Sequence, residues 1–207
     1  MTTRLLLVRH GQTAYNAEVR FMGQLDIPMD EIGRLQARAV ARRLSAERPV
    51  AMYCSGLWRA FETASAIRSA IASHPELRTD ERLTEGHFGA WQGKTYDSLK
   101  VQDAERLARW EADRLHAAPP EGESLQQIAD RVGAAYADIC AENRDKTVII
   151  VAHGGSLQVL LTLALGVPLE TYWKLWVSNA SVSELRLAEW GATLHLLNDT
   201  SHLTPSP

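Results

Sequence analysis

Two apolar runs end in the same dipeptide, and no other feature of the chain constrains its fold as tightly. Leu5-Leu6-Leu7-Val8 leads into Arg9-His10-Gly11, and Val148-Ile149-Ile150-Val151-Ala152 leads into His153-Gly154-Gly155. Short runs of Leu, Val and Ile suit strands buried on both faces of a parallel sheet. Ligands of such sheets bind beyond the carboxyl ends of the strands, where neighbouring connections diverge to opposite faces. Each histidine is therefore expected at the mouth of one crevice, where two imidazoles and an arginine can share a single anion.

The rest of the pattern supplies elements to cover that sheet. Ile32, Leu35, Ala39, Val40 and Leu44 recur at helical spacing over 31–47, with Asp30 or a neighbour as cap and Pro49 as stop. Residues 50–54 read as a short strand, 57–72 as a helix and 79–83 as another short strand. Two helices follow, over about 96–116 and 124–143, separated by the breaker Ala117-Ala118-Pro119-Pro120-Glu121-Gly122. A helix opened by Gly154-Gly155-Ser156 ends near Gly166. Segments 181–188 and 193–197, around the Trp190-Gly191 turn, read as an antiparallel hairpin at the sheet edge. The stretch 11–30 is too long for a simple turn and is a candidate substrate loop. The expected fold class is α/β, a three-layer sandwich with a mostly parallel central sheet flanked by helices. A helical cap is inserted over about 86–145, and residues 1–207 form one domain.

Charge and composition exclude several classes. Lys and Arg total 22 against 25 Asp and Glu, a net charge of -3 without runs of like charge. Nothing in this suggests a nucleic-acid or membrane surface. Met1-Thr2-Thr3-Arg4 runs straight into the first strand, so a cytoplasmic protein is expected. The apolar region 148–167 is broken by His153-Gly154-Gly155-Ser156 and Gln158 and reads as strand, loop and helix rather than a membrane span. Cys54 and Cys140 have no metal-ligand spacing and are expected as free thiols. Cys54 to Arg59 leaves four intervening residues, one fewer than a Cys-x5-Arg phosphate loop. No spacing supports zinc on His10, His153 and Glu85. The sequons at Asn179 and Asn198 are expected to be unused, and Trp173 and Trp176, three apart, are expected in the core or in a homodimer contact.

Arg9-His10-Gly11 carries the sharpest chemistry. An imidazole with one free nitrogen is a competent nucleophile toward phosphorus once the phosphate oxygens are neutralised. Arginine suits that neutralising role because its planar fork gives two parallel charge-assisted bonds. Arg59, a few residues beyond a predicted strand, rises at the same end of the sheet.

Arg9-His10-Gly11-Gln12-Thr13, with Asn16 shortly after, resembles the Arg-His-Gly signature of the histidine phosphatase superfamily, the phosphoglycerate-mutase-like family. Ser55-Gly56-Leu57-Trp58-Arg59-Ala60-Phe61-Glu62-Thr63-Ala64 is similar to the family's phosphate-arginine segment. Residues Leu83 to Gly93 resemble its acid segment, and Glu121-Gly122-Glu123-Ser124 and His153-Gly154 follow in family order. The resemblance implies His10 as phosphoryl acceptor, with Arg9, Arg59 and His153 clamping phosphate. Glu85, flanked by Phe88 and Trp91, would be general acid and then base.

The substrate rim is expected to include Asn16, Gln24, His87 and Gly154 beside Arg9 and Arg59, although a packed loop role suits His87 equally. His202 would fold a tail back over the site unless the chain end is disordered. Gly56 and Gln92 depart from the family pattern, which commonly has Asp or Pro and Glu there. The implied activity is hydrolysis of a small phosphomonoester without metal or other cofactor. The short chain and Gln12-Thr13 favour phosphatase over phosphoglycerate mutase. Substrates in the implied range include α-ribazole phosphate, phosphoserine, sugar phosphates and phosphoglycerates. A non-catalytic phospho-ligand module is the reading from a different class, which the presence of Glu85 beside His10 disfavours.

Overall fold

The computed structural model describes residues 2–203. The sheet has six strands: β1 (Thr3–Arg9), β2 (Ala51–Cys54), β3 (Glu76–Thr79), β4 (Thr147–Ala152), β5 (Val182–Ala188) and β6 (Gly191–Asp199), in the order β3-β2-β4-β1-β5-β6. The first four in that order are parallel, whereas β5 and β6 run antiparallel at one edge. That edge is the expected hairpin.

Strand alternation decides which helix covers which face. Leu5, Leu7, Tyr53, Val148 and Ile150 project to one side, against α6 (Leu125–Glu142) and α7 (Gly154–Leu165). Leu6, Val8, Met52, Cys54, Ile149 and Val151 project to the other, against α2 (Glu31–Leu44) and α3 (Trp58–Ala70). A two-residue period and two apolar faces thus produce three layers. Asp30 caps α2 by accepting the Gly33 N–H, Ser124 caps α6 by accepting the Gln127 N–H, and Gly166 ends α7 at φ 64°.

Several expected boundaries move. The strand placed at 79–83 lies earlier, at β3, and Glu81–Leu83 is a 3-10 turn capped by Asp80. The single helix over 96–116 is two, α4 (Tyr96–Gln102) and α5 (Ala104–Ala112), because Asp103 leaves helical geometry and accepts the Trp91 indole N–H. A very short helix, α1 (Ala14–Ala17), sits inside the candidate substrate loop.

The expected cap also divides. The elements α4 and α5 gather around their own small core of Trp91, Leu99 and Leu107, with Phe21, Phe88 and Trp110 packed on it. In contrast α6 belongs to the main layer on the sheet. Trp173 and Trp176 are not core residues, being 55% and 65% exposed. Residues 204–207, the Pro-containing tail, lie outside the described residues. Among the described residues no helix is long and apolar enough to cross a membrane.

Candidate active site

Strand register brings the two histidines together. Arg9 pairs with Ala152 across the β1–β4 ladder, so the next residues, His10 and His153, leave the sheet side by side. Their rings are 5.0 Å apart, and both are buried. Cys54 pairs with Val151 on the far side of β4, which carries Ser55 alongside: its Oγ lies 2.8 Å from His153 Nε2. Arg59 stands in the first turn of α3 and is fully buried.

Hydrogen bonds set the state of each imidazole. His10 Nδ1 lies 2.7 Å from the Gly11 carbonyl. A carbonyl only accepts, so Nδ1 carries the proton. Burial first, then Arg59 and Arg9, hold the His10 pKa well below its usual range. The ring is therefore neutral, with the Nε2 lone pair available. Burial and the same arginines also depress His153. Ser55 Oγ, in contact with His153 Nε2, also accepts the Leu57 N–H. His153 Nδ1 is buried and has no hydrogen-bond partner among the described residues.

The arginines are tethered from behind. Arg9 donates one Nη1 bond to the Val177 carbonyl, and Arg59 donates to the Leu25 and Gly23 carbonyls, each at 2.7 Å. The Nε atoms of both arginines are buried and without partners among the described residues. Burial pulls Arg59 down to about 10, so it stays charged at neutral pH, and burial lowers Arg9 as well. Two guanidiniums and two neutral imidazoles thus converge at the sheet's carboxyl edge, an arrangement matched to a tetrahedral anion.

Glu85 adjoins this cluster, close enough for its charge to act on both Arg9 and Arg59. Its carboxylate accepts N–H bonds from Gly86 at 3.0 Å, Gly155 at 3.1 Å and Ser156 at 3.2 Å, the last two in the first turn of α7. A side chain at Gly155 would place its Cβ 2.5 Å from Glu85 Oε1, which is why glycine stands there. Aromatic rings do line the cavity beside Glu85, namely Phe88, Trp110 and Tyr172, but Trp91 is not among them, being committed to the cap core.

The rim residues divide. Gly154 opens α7, and a Cβ there would lie 3.4 Å from the Arg9 guanidinium carbon. Asn16 closes a capping box with Thr13 and accepts from the Asn179 amide. The Gln24 amide donates to the Glu85 carbonyl at 3.0 Å, so it positions the acid loop rather than lining the rim with a free amide. His87 is packed in its loop, its Nδ1 between the Glu121 carbonyl at 3.0 Å and the Gly89 N–H at 3.2 Å. His202 Nε2 lies 2.9 Å from the Ala180 carbonyl, and Ala180 donates to the Arg9 and His10 carbonyls.

Both departures from the family pattern have local explanations. The Glu81 carboxylate occupies the space a side chain at Gly56 would take. Gln92 Oε1 accepts the Gln24 N–H at 2.7 Å, which an acidic side chain could equally do. Burial pushes the Cys54 thiol up to about 12 and Cys140 up to about 11, so neither is a nucleophile at neutral pH. Among the described residues no group of three or more His, Cys, Asp or Glu could hold a metal ion.

Arg131 and Asn179 escape a reading along the sequence. The Arg131 guanidinium donates to Glu123 through Nε and Nη2 and to the Arg82, Thr84 and Glu85 carbonyls, pinning the acid loop to α6. The Asn179 amide donates to the His10 carbonyl at 3.1 Å, so this sequon asparagine is used internally. Nothing local in the sequence marks either role, because their partners lie 46 and 169 residues away.

Paired histidines at the carboxyl edge of a mostly parallel sheet, with an antiparallel edge hairpin, define a phosphoglycerate-mutase-like α/β protein. The chain belongs to the histidine phosphatase superfamily (branch 1), whose family model matches residues 5–200. It is 36% identical to the glucosyl-3-phosphoglycerate phosphatase of Mycolicibacterium vanbaalenii, over 95% of this chain and 97% of that one. It is 34% identical to the metal-independent phosphoserine phosphatase of Arabidopsis thaliana, over 98% and 84%. The solved alpha-ribazole phosphatase from Shigella flexneri superimposes with a TM-score of 0.88 at 30% identity, over 95% of this chain and 96% of that one.

Proposed function

We propose that the protein hydrolyses a small phosphorylated metabolite in the cytoplasm, through a phosphohistidine on His10 and without a metal ion. The observation that carries this reading is the His10 tautomer: Nδ1–H is spent on the Gly11 carbonyl, so Nε2 faces the cluster as a lone pair. In the first step Nε2 attacks phosphorus, the ester P–O bond breaks, and Glu85 gives its proton to the departing oxygen. In the second, Glu85 takes a proton from water, the water oxygen attacks phosphorus, and the N–P bond breaks to release phosphate. Arg9, Arg59 and His153 supply the donors that the charged oxygens need in both transition states.

Rapid quench with a labelled phosphomonoester tests this directly. The expected result is an acid-labile, base-stable label that is lost in His10→Ala, together with turnover that is insensitive to EDTA. Retention of the label in His10→Ala would require a different nucleophile, and recovery of EDTA-lost activity by a divalent ion would overturn the metal-free assignment. Return of the phosphoryl group to a second position of the substrate, rather than to water, would show a mutase.

A further inference from the structure

Helix α3 carries Arg59 in its first turn but begins without a side-chain cap of its own. Its N-cap residue, Leu57, has no polar side chain to offer, and the Leu57 N–H goes to Ser55 Oγ. The next amide, the Trp58 N–H, is taken by a residue 32 positions away: Asp26 Oδ1 accepts it at 2.7 Å. A carboxylate suits that place, because the first amides of a helix have no carbonyl within the helix to meet and form its positive end.

What this carboxylate anchors is the 23–26 turn. Just before Asp26, the Gly23 and Leu25 carbonyls accept the two Arg59 Nη bonds, and the Gln24 amide reaches the Glu85 carbonyl. The turn is tight: Gly23 stands at φ 55°, and a Cβ there would lie 2.3 Å from Gln92 Oε1. After Glu85, Asp26 is the carboxylate whose charge acts to hold the Arg59 pKa up against burial, yet the Arg59 Nη atoms go to the carbonyls and not to it. A carboxylate forked onto Arg59 would compete with a phosphate for the same donors. One spent on a helix amide leaves the buried Arg59 Nε–H without a partner among the described residues, ready for an anion.

We propose that Asp26 is a positioning residue for the anion clamp: by docking the 23–26 turn onto the start of α3, it sets the two carbonyls that orient Arg59. The grip is reciprocal. Asp26 follows Leu25 and holds the amide of Trp58, while Arg59 follows Trp58 and holds the carbonyl of Leu25. Each side chain thus binds the backbone beside the residue that binds back, and bonds that close so short a ring are lost together rather than independently.

This inference rests on the role of Arg59 in the function proposed above, and the readout separates the two: orthovanadate affinity, measured by calorimetry, needs no turnover. Asp26→Ala is expected to weaken vanadate binding, and kcat/KM for nitrophenyl phosphate with it, by about 10- to 100-fold, the range of one hydrogen bond to a charged group. Asp26→Asn keeps an acceptor oxygen and is expected to recover most of that loss. In an Arg59→Ala background, Asp26→Ala is expected to add less than about threefold, because the group it orients is gone. Trp58→Pro reaches the same bond from the other partner, since proline suits the first position of a helix but has no N–H to give. It is expected to match Asp26→Ala, with Trp58→Ala as the control for the lost ring, and it carries the test if Asp26→Ala does not fold. Affinity in Asp26→Ala within about threefold of wild type, or the full loss repeated on top of Arg59→Ala, would overturn the assignment. So would Asp26→Asn binding no better than Asp26→Ala. A wild type that binds vanadate but hydrolyses no phosphomonoester would instead overturn the phosphatase reading and leave the Asp26 comparison standing.

Discussion

At the scale of single residues, the site is built from groups whose obvious neighbours are not their partners. Arg59 is held by two carbonyls of the 23–25 segment, so its fork is oriented before any anion binds. Lysine cannot make both bonds in that geometry. Arg59→Ala is expected to lower kcat by about 10²- to 10³-fold, as for loss of one transition-state donor, and Arg59→Lys to recover little of it. Steady-state rates on one alkyl phosphate decide this, and substantial recovery by lysine would mean that charge alone suffices. Glu85 invites a different test. Its proton matters when the departing oxygen is a poor leaving group and hardly at all for nitrophenolate. Single-turnover formation of the phosphohistidine in Glu85→Gln should therefore slow by roughly 10²- to 10⁴-fold for an alkyl ester and far less for nitrophenyl phosphate. Equal slowing would leave Glu85 as a positioning group. His87 would not be a ready substitute, since its ring is packed against the Glu121 carbonyl.

At the scale of elements, two glycines carry opposite consequences. In α7, a Cβ on Gly155 would press on the end of a flexible side chain, the Glu85 carboxylate. In α2, a Cβ on Gly33 would lie 2.0 Å from the Gln12 carbonyl, which belongs to the backbone of the loop carrying His10. Gly155→Ala is thus expected to depress kcat while urea stability stays within about 1 kcal/mol of wild type. Gly33→Ala is expected to lose about 1–3 kcal/mol of stability, as overpacked contacts do. Parallel measurements of kcat and urea unfolding check the contrast. Normal turnover in Gly155→Ala would show that the carboxylate need not sit where the α7 backbone holds it.

At the scale of the whole molecule, the site shapes stability as well as chemistry. His10 and His153 are buried with pKa values well below the ordinary histidine range near 6.5. Below that pH the unfolded chain takes up two protons that the folded chain does not, so stability is full above about pH 6.5 and is lost as pH falls. Between pH 7 and 5.5 the loss is expected to be about 2 kcal/mol for the pair, and about half that in His10→Ala. His202, lowered mainly by burial, adds to the same trend. The depressed carboxylates, such as Asp199 at about 2, act in more acidic solution and leave this window to the histidines. Urea unfolding across this range is the measurement, and a flat profile would show that the rings take up protons in the folded protein as readily as in the unfolded chain.

The chain's own order of residues determined the layered sheet, because Leu, Val and Ile in short runs can be satisfied only by burial on both faces. It also determined which end of the sheet is chemical, since His10, His153 and Arg59 each follow a strand. Adjacent strands in register then make the two rings neighbours without any further information. What the tertiary structure alone decided are the contacts made across the fold. The Glu85 carboxylate rests on the amides of α7, Arg131 ties its loop to α6, and Asn179 holds the His10 carbonyl. Periodicity reports only which face of an element is apolar, so Gln24 and Trp91 could not be placed by it. Their partners, the Glu85 carbonyl and Asp103, become neighbours only when a loop and a helix break are fitted to the packed core.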